Sequence, residues 1–166
     1  MYKISDDDGF LILFDPDTYI SFVGDEPSFE EIVKHIKSEM LEHHLLIWGT
    51  GWGGNWNVEV RQAPSTPPGF RNIKGTILAS RGRLCLSDLL EVRIAASDEA
   101  RILPDLKHLG NIVLLDPGLY ECCVSQVQDP DNCIEEDGVA DFVLTLQKAQ
   151  KPVALWDEIP WSDLVV

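Results

Sequence analysis

Two patterns of apolar residues run along the chain, and both predict β-strands. Within residues 55–61, Trp56, Val58 and Val60 alternate with polar residues, which is the period-two pattern of a strand with one buried face. Residues 45–48 are apolar throughout and too few for a core helix, so they predict a fully buried strand. Segments of these two kinds recur along the chain, which predicts a mainly β protein.

The predicted strands are bounded by turn residues. They cover residues 2–5, 10–14, 18–23, 45–48, 55–61, 73–80, 83–87, 92–96, 111–115, 119–128 and 139–147. Aspartate followed by glycine or proline separates the first three, which we expect to form hairpins or a meander. Arg81-Gly82 predicts a two-residue hairpin loop, and Pro117-Gly118 predicts another tight turn.

One segment has the spacing of an amphipathic helix. Ser28 and Glu31 are placed as in a capping box, in which each side chain accepts a hydrogen bond from the other residue's backbone N–H. Apolar residues then recur at helical intervals as far as about His43: Phe29, Ile32, Val33, Ile36 and Met40. Together with the strands, this helix predicts a mainly β (α+β) fold, an antiparallel β-sandwich with one amphipathic helix packed on a face.

The length of the chain predicts one domain. With 166 residues it can bury about 70% of the surface that the unfolded chain exposes, without a metal or a disulfide. We therefore predict a single domain over residues 1–166, with the proline-rich connection 63–69 as the candidate internal boundary.

The formal charge is −15, and it is unevenly distributed. Residues 1–48 carry eleven acidic and three basic side chains, residues 49–110 carry six and eight, and residues 111–166 carry eleven and two. Such a protein is poorly suited to nucleic acid, because binding to phosphates requires lysine and arginine. The charge either attracts a basic protein partner or serves solubility alone.

Several function classes leave signatures that this chain lacks. No apolar run approaches the roughly 20 residues of a membrane span, and the acidic N-terminal segment lacks the apolar core of a signal peptide, which predicts a cytoplasmic protein. Cys85, Cys122, Cys123 and Cys133 show no C-x-x-C spacing, so we expect buried free thiols. The common hydrolase, nucleotidase and zinc-peptidase motifs are absent, and we predict no enzymatic activity, no cofactor and no metal.

Residues 48–56, the Trp/Gly loop, hold three of the five tryptophans and four of the twelve glycines. The loop matches G-x-G-x-x-G but continues as a predicted strand instead of a helix, which argues against a dinucleotide site. Its tryptophans either plug the end of the sandwich or form a stacking platform for a carbohydrate or small ligand, with or without hydrolysis. We favour the plug. In the alternative, the ligand-binding residues are Trp48, Trp52, Asn55 and Trp56.

Two turns resemble those of known proteins. Residues 80–88, SRGRLCLSD, and residues 115–124, LDPGLYECCV, resemble the hairpins of poorly characterised bacterial β-sandwich families. The better-understood relatives of those families are similar to the nuclease inhibitor of the competence system and to immunity proteins of polymorphic toxins. The resemblance implies a small bacterial inhibitor without catalytic machinery, and it assigns no contact residue.

Charge, the missing catalytic motifs and this resemblance predict the same function. We expect a non-enzymatic binding protein of the immunity type that presents acidic loops to a basic partner protein. The candidate partner-binding residues are Asp6, Asp7, Asp8, Asp129, Asp131, Glu135, Glu136 and Asp137. The identity of the partner and the oligomeric state stay open at this point.

Overall fold

A computed structural model of the protein describes residues 1–63, 67–132, 138–153 and 156–162, without the side chains of residues 106–108 and 132. Within these residues, nine strands and two α-helices are present. The strands are β1 (Tyr2–Asp6), β2 (Phe10–Phe14), β3 (Leu45–Gly49), β4 (Gly54–Arg61), β5 (Arg71–Ala79), β6 (Arg83–Asp88), β7 (Ile112–Leu114), β8 (Gly118–Gln126) and β9 (Phe142–Ala149). The helices are α1 (Phe29–Leu41) and α2 (Leu89–Ala96), and short 3-10 turns occupy Leu106–Asn111 and Pro130–Asn132.

The strands form two sheets that face each other across a common core. The five-stranded sheet has the order β1-β4-β9-β8-β5, and the four-stranded sheet has the order β3-β2-β6-β7. Both helices pack on the four-stranded sheet, α1 against β3 and α2 against β2 and β6. The predicted mainly β sandwich with a helix on one face is therefore confirmed, with a second helix added.

This layering explains the two apolar patterns of the sequence. The four-stranded sheet lies between the helices and the other sheet, so β3 is buried along its whole length. The five-stranded sheet has one outer face, and β4 accordingly alternates, with Trp56 and Val58 in the core and Asn55 exposed. Strands β4 and β9 run parallel, with Val58 opposite Phe142, whereas the other pairs between described strands are antiparallel.

The first predicted strands do not form a hairpin or a meander. Strand β1 pairs with β4, whereas β2 pairs with β3 and β6, so the turn at Gly9 (φ 79°) carries the chain from one sheet to the other. Residues 18–23 are not a strand. The backbone N–H groups of Val23 and Gly24 donate instead to the carbonyl of Ala96, at 2.9 and 3.2 Å.

Both turns that resembled hairpins also pass between the sheets. The turn at Arg81-Gly82 joins β5 to β6, and the turn at Pro117-Gly118 leads from β7 into β8, in each case strands of different sheets. The glycine at position 82 is required as predicted, because its φ is +74° and a Cβ there would lie 2.5 Å from the carbonyl oxygen of Leu115. The turn chemistry was therefore correct, and the predicted strand pairing was wrong.

Residues 92–96 are helical instead of forming the predicted strand. Asp88 caps α2, and its Oδ1 accepts a hydrogen bond from the backbone N–H of Glu91 at 3.0 Å. The buried residues Leu89, Val92 and Ala96 recur at helical spacing, and this packing outweighs the β propensity of the branched residues in the segment.

Helix α1 has the predicted capping box. The Ser28 hydroxyl accepts from the N–H of Glu31 at 3.2 Å, and the Glu31 carboxylate accepts from the N–H of Ser28 at 2.8 Å. The helix ends at Leu41, slightly before the predicted end at His43. Phe29, assigned by its spacing to the buried face, is 40% exposed and is the first residue of the helix.

Three of the four cysteines are buried free thiols, as expected. Burial raises the pKa of Cys85 to about 12, and it raises the pKa of Cys122 as well. Cys123 is also buried, and Cys133 lies outside the described residues. None of the helices in the described part of the chain is long and apolar enough to cross a membrane.

Candidate functional site: the acidic end and the Trp/Gly loop

A buried carboxylate organises one end of the sandwich. Asp6 is 1% exposed, and its Oδ1 accepts hydrogen bonds from the backbone N–H groups of Asp8, Gly9 and Phe10, at 2.9 to 3.1 Å. Its Oδ2 accepts from the indole N–H of Trp56 at 3.3 Å. Asp6 thereby fixes the turn between the two sheets, because a buried carboxylate is stable only when its oxygens are hydrogen-bonded.

The same carboxylate holds the Trp/Gly loop. The hydroxyl of Thr50 lies 3.1 Å from Asp6 Oδ2 and 2.7 Å from the carbonyl oxygen of Trp52. Gly53 packs directly on the turn, where a Cβ would lie 2.9 Å from the carbonyl oxygen of Asp7. Glycine is needed here because no side chain fits between the two backbones. The turn at residues 6–9 and the Trp/Gly loop are therefore one packed unit.

The three tryptophans of the loop differ in exposure. Trp48 is 0% exposed and Trp56 is 5% exposed, and both pack against Phe142, with ring centroids 6.3 and 5.4 Å away. Trp52 is 39% exposed and lies with its ring centroid 6.1 Å from that of Trp56. Two indoles thus close the core, as in the plug interpretation, and the third presents an aromatic surface to solvent.

The second acidic segment lies against the other side of this loop. Gly51 has a φ of +107°, and a Cβ there would contact the ring of Pro130 at 3.1 Å. Asp129 and Asp131 flank that proline, and the backbone N–H of Asp131 donates to Asp129 Oδ1 at 3.1 Å. The fold therefore brings two acidic segments that are more than a hundred residues apart in the chain against the same loop, the first through Gly53 and the second through Gly51.

The predicted partner-binding residues fall into three groups. Asp6 is a structural residue, since a carboxylate that is 1% exposed and fully hydrogen-bonded offers no surface to a partner. Asp7 and Asp131 are exposed, whereas Asp8 and Asp129 are half-buried, and the carboxylate of Asp8 binds Arg93 at 2.9 Å. Residues Glu135, Glu136 and Asp137 lie outside the described residues.

The residues predicted for a ligand platform do not share one open surface. Trp48 and Trp56 are in the core, so their ring faces are closed to a sugar. Asn55 is exposed and lines a shallow cleft of about 240 Å³ with Asp7 and Gly54. The G-x-G-x-x-G segment leads into strand β4, whereas the glycines of a dinucleotide fingerprint lead into a helix.

Helix α2, at this end of the sandwich, was not predicted from the sequence. Helix α2 begins beside the turn at residues 6–9, the acidic turn. A cleft between the first turn of α2 and β1 has a volume of about 320 Å³, and its lining residues include Lys3, Asp7, Leu90 and Glu91. The spacing of Asp88 and Glu91 could have identified the helix start. Among the described residues, no three His, Cys, Asp or Glu side chains lie close enough together to hold a metal ion.

The chain matches no family model and no curated protein, but two solved structures are similar to it. The protein of crocagin biosynthetic gene J is 15% identical, with a TM-score of 0.58, and the match covers 90% of this chain and 100% of that one. ComJ from Bacillus subtilis, described as an inhibitor of the DNA degrading activity of NucA, is 8% identical, with a TM-score of 0.53, and the match covers 89% of this chain and 94% of ComJ. The chain therefore shares the fold of these proteins, which agrees with the resemblance to the competence nuclease inhibitor.

Proposed function

We propose that this protein is a non-enzymatic, cytoplasmic binding protein of the immunity type, which inhibits a basic partner protein through its acidic end. The fold shared with ComJ supports this proposal, because ComJ is described as an inhibitor of a DNA-degrading protein. A nuclease is the partner class that this similarity favours, since a protein that binds DNA phosphates presents a basic surface.

The observation that carries the proposal is the position of Trp52. Its indole is 39% exposed, and the glycines on either side of it contact the two acidic segments, Gly53 the turn at residues 6–9 and Gly51 the ring of Pro130 between Asp129 and Asp131. Tryptophan is enriched among the residues that contribute most to protein interfaces, and hot spots are surrounded by contacts that exclude water. An aromatic anchor with a rim of carboxylates is complementary to an apolar pocket that is ringed by lysine and arginine.

The charge of the chain sets how the partner is captured. A formal charge of −15 attracts a basic protein over the distance of a Debye length, about 8 Å at physiological ionic strength, and orients it before contact. It repels DNA at the same time. A chain of this kind can therefore occupy the DNA-binding surface of a nuclease without binding the substrate itself.

The test starts from the native host. The tagged full chain is used at low salt to isolate its partner, which is identified by mass spectrometry, purified and mixed with the chain at known concentrations. We expect a complex whose association rate falls steeply between low and moderate salt, and a partner whose activity on DNA falls with added chain.

The outcomes separate the parts of the proposal. A complex whose association rate is independent of salt would remove the electrostatic capture. A partner that keeps full activity in the complex would remove the inhibitor role, and purified chain that turns over a substrate would remove the non-enzymatic assignment.

A further inference from the structure

Helix α2 presents an apolar face to solvent directly beside the acidic turn. Of its eight residues, those exposed are Leu90, Arg93 and Ile94, and the two apolar ones are 37% and 38% exposed. They are four residues apart and therefore share one side of the helix. Large apolar side chains grouped on the surface of a small protein mark an interaction site more often than scattered ones do.

Two contacts join this face to the acidic turn. Arg93 donates to Asp8 at 2.9 Å, and its guanidinium lies 5.6 Å from the ring centroid of Phe29, which is 40% exposed. Leu90 lines the same cleft as Asp7. The apolar face is thus continuous with the acidic turn.

The surroundings of the face determine what can cover it. Asp7 lies at the first turn of α2, and Asp98 and Glu99 are exposed just after its last residue. A second copy of this chain would bring a further formal charge of −15 against these carboxylates, which opposes self-association. A partner surface that combines apolar side chains with lysine or arginine can bury the apolar side chains of α2 and pair with the carboxylates around them.

We propose that the exposed apolar residues of α2, Leu90 and Ile94, form a docking surface for an apolar segment of a basic partner protein, together with Phe29 of α1, against whose ring Arg93 lies. This inference rests on the proposed function, whose interface it extends from Trp52 across the acidic turn to the helix. The segment that docks has a Lys/Arg-flanked apolar side, such as one face of an amphipathic basic helix. Its apolar residues cover Leu90 and Ile94, and its basic residues reach Asp7, Asp98 or Glu99.

Two peptides test the inference without the natural partner. One is a short amphipathic helix of leucine and lysine, and the other is a polylysine peptide of equal net charge. We expect the leucine-lysine peptide to bind the full chain more tightly. The double variant Leu90→Ser, Ile94→Ser should bind the leucine-lysine peptide about tenfold more weakly than the wild type does, because it has lost its apolar anchors. Its affinity for polylysine should be unchanged.

The matched control is Leu114→Ser at the opposite end of the four-stranded sheet. Leu114 is 74% exposed and ends the edge strand β7, so its replacement should change neither affinity. Amide chemical shifts of the wild-type chain give a readout that is independent of variant folding. The leucine-lysine peptide should perturb residues 90–94 and leave residues 112–114 unchanged.

The docking surface would be contradicted if both peptides bound the wild type with equal affinity, or if the double variant kept the wild-type affinity for the leucine-lysine peptide. Chemical-shift changes located away from residues 90–94 would contradict it too. A dimer of the wild-type chain that the double variant abolishes would make a second copy the occupant and would also overturn it. If the partner from the host still binds in a salt-dependent way, only the inference about α2 fails. If that binding fails while the peptides behave as expected, the proposed function fails.

Discussion

The two ends of the sandwich are built around a buried aspartate each, yet their surfaces differ. At one end, Asp6 accepts three backbone N–H groups and contacts the side chains of Thr50 and Trp56. At the other end, Asp15 is 0% exposed and accepts from the N–H groups of Asp17 and Ser80, at 2.9 and 2.8 Å. In both places, the carboxylate satisfies backbone donors of turns, which have no strand partners.

The other acidic side chains of the two ends are paired differently. At the Asp15 end, the carboxylate of Asp17 binds the guanidinium of Arg83 through two hydrogen bonds of 2.6 and 2.7 Å. At the Asp6 end, Asp7 and Asp131 have no cationic partner among the residues that the structure describes. The Asp6 end therefore combines two outward carboxylates, Asp7 and Asp131, whereas Asp116 is the exposed carboxylate named at the Asp15 end, and this difference is why we assign binding to the Asp6 end.

The largest expected effect tests whether the two buried aspartates are equivalent. Asp6→Ala should lower the free energy of unfolding by about 3 to 5 kcal/mol, because it leaves several buried donors without an acceptor. Asp15→Ala should cost less, about 2 to 3 kcal/mol, because fewer donors lose their partner. Guanidinium chloride unfolding of the two variants measures the difference, and a greater loss for Asp15→Ala would contradict this account.

The sequence predicted the class of the fold better than its connections. The two-sheet sandwich follows from apolar patterns, and the capping box at Ser28 and Glu31 marked α1 correctly. Strand pairing was predicted wrongly, because Gly9 and Gly82 signal a turn but not which sheet the next strand joins. That choice depends on contacts between residues far apart in the chain, such as Val58 with Phe142.

The candidate site was predicted as separate parts. The acidic segments and the Trp/Gly loop were each visible in the sequence, but their convergence depends on contacts of glycine backbones, such as Gly51 against Pro130. Nor could charge alone separate Asp6 from Asp7, although one is buried and the other exposed. Burial follows from the turn geometry, which a run of three aspartates does not encode.

The second effect concerns the indole at the binding end. Trp52→Ala should weaken the complex with the partner isolated from the host about 30-fold, as for a central aromatic anchor, and change the free energy of unfolding by less than about 1 kcal/mol. Leu114→Ala, at the other end, should alter neither quantity. Calorimetric titration and denaturant unfolding measure both, and an unchanged affinity for Trp52→Ala would place the interface elsewhere.

The third effect compares equal charge changes at the two ends. Asp7→Lys should slow association with the same partner about tenfold at low salt, because it reverses an outward charge in the proposed interface. Asp116→Lys alters the net charge equally, but Asp116 is exposed beside Pro117 at the Asp15 end, so the rate should fall less than about twofold. Stopped-flow measurements of the association rates of the two variants test this difference. Equal slowing would mean that total charge matters and its position does not.

The smallest effect belongs to the Asp15 end, where Asp17 is paired with Arg83. Hydrogen bonding from Arg83 lowers the pKa of Asp17 in the folded protein below its ordinary value of 3.8. The unfolded chain therefore binds this proton more readily, so the pair stabilises the fold fully above pH 3.8 and loses that contribution as the pH falls through the lowered pKa. Because the Arg83 side chain is 48% exposed, solvent screens the pair and its contribution is at most about 1 kcal/mol. At pH 7, the free energy of unfolding measured with urea should thus be higher for the wild type than for Arg83→Met. This difference in free energy should disappear at acid pH. A difference that persists there would show that Arg83 acts through packing and not through its charge, and the contrast between the two ends would then lose its electrostatic basis.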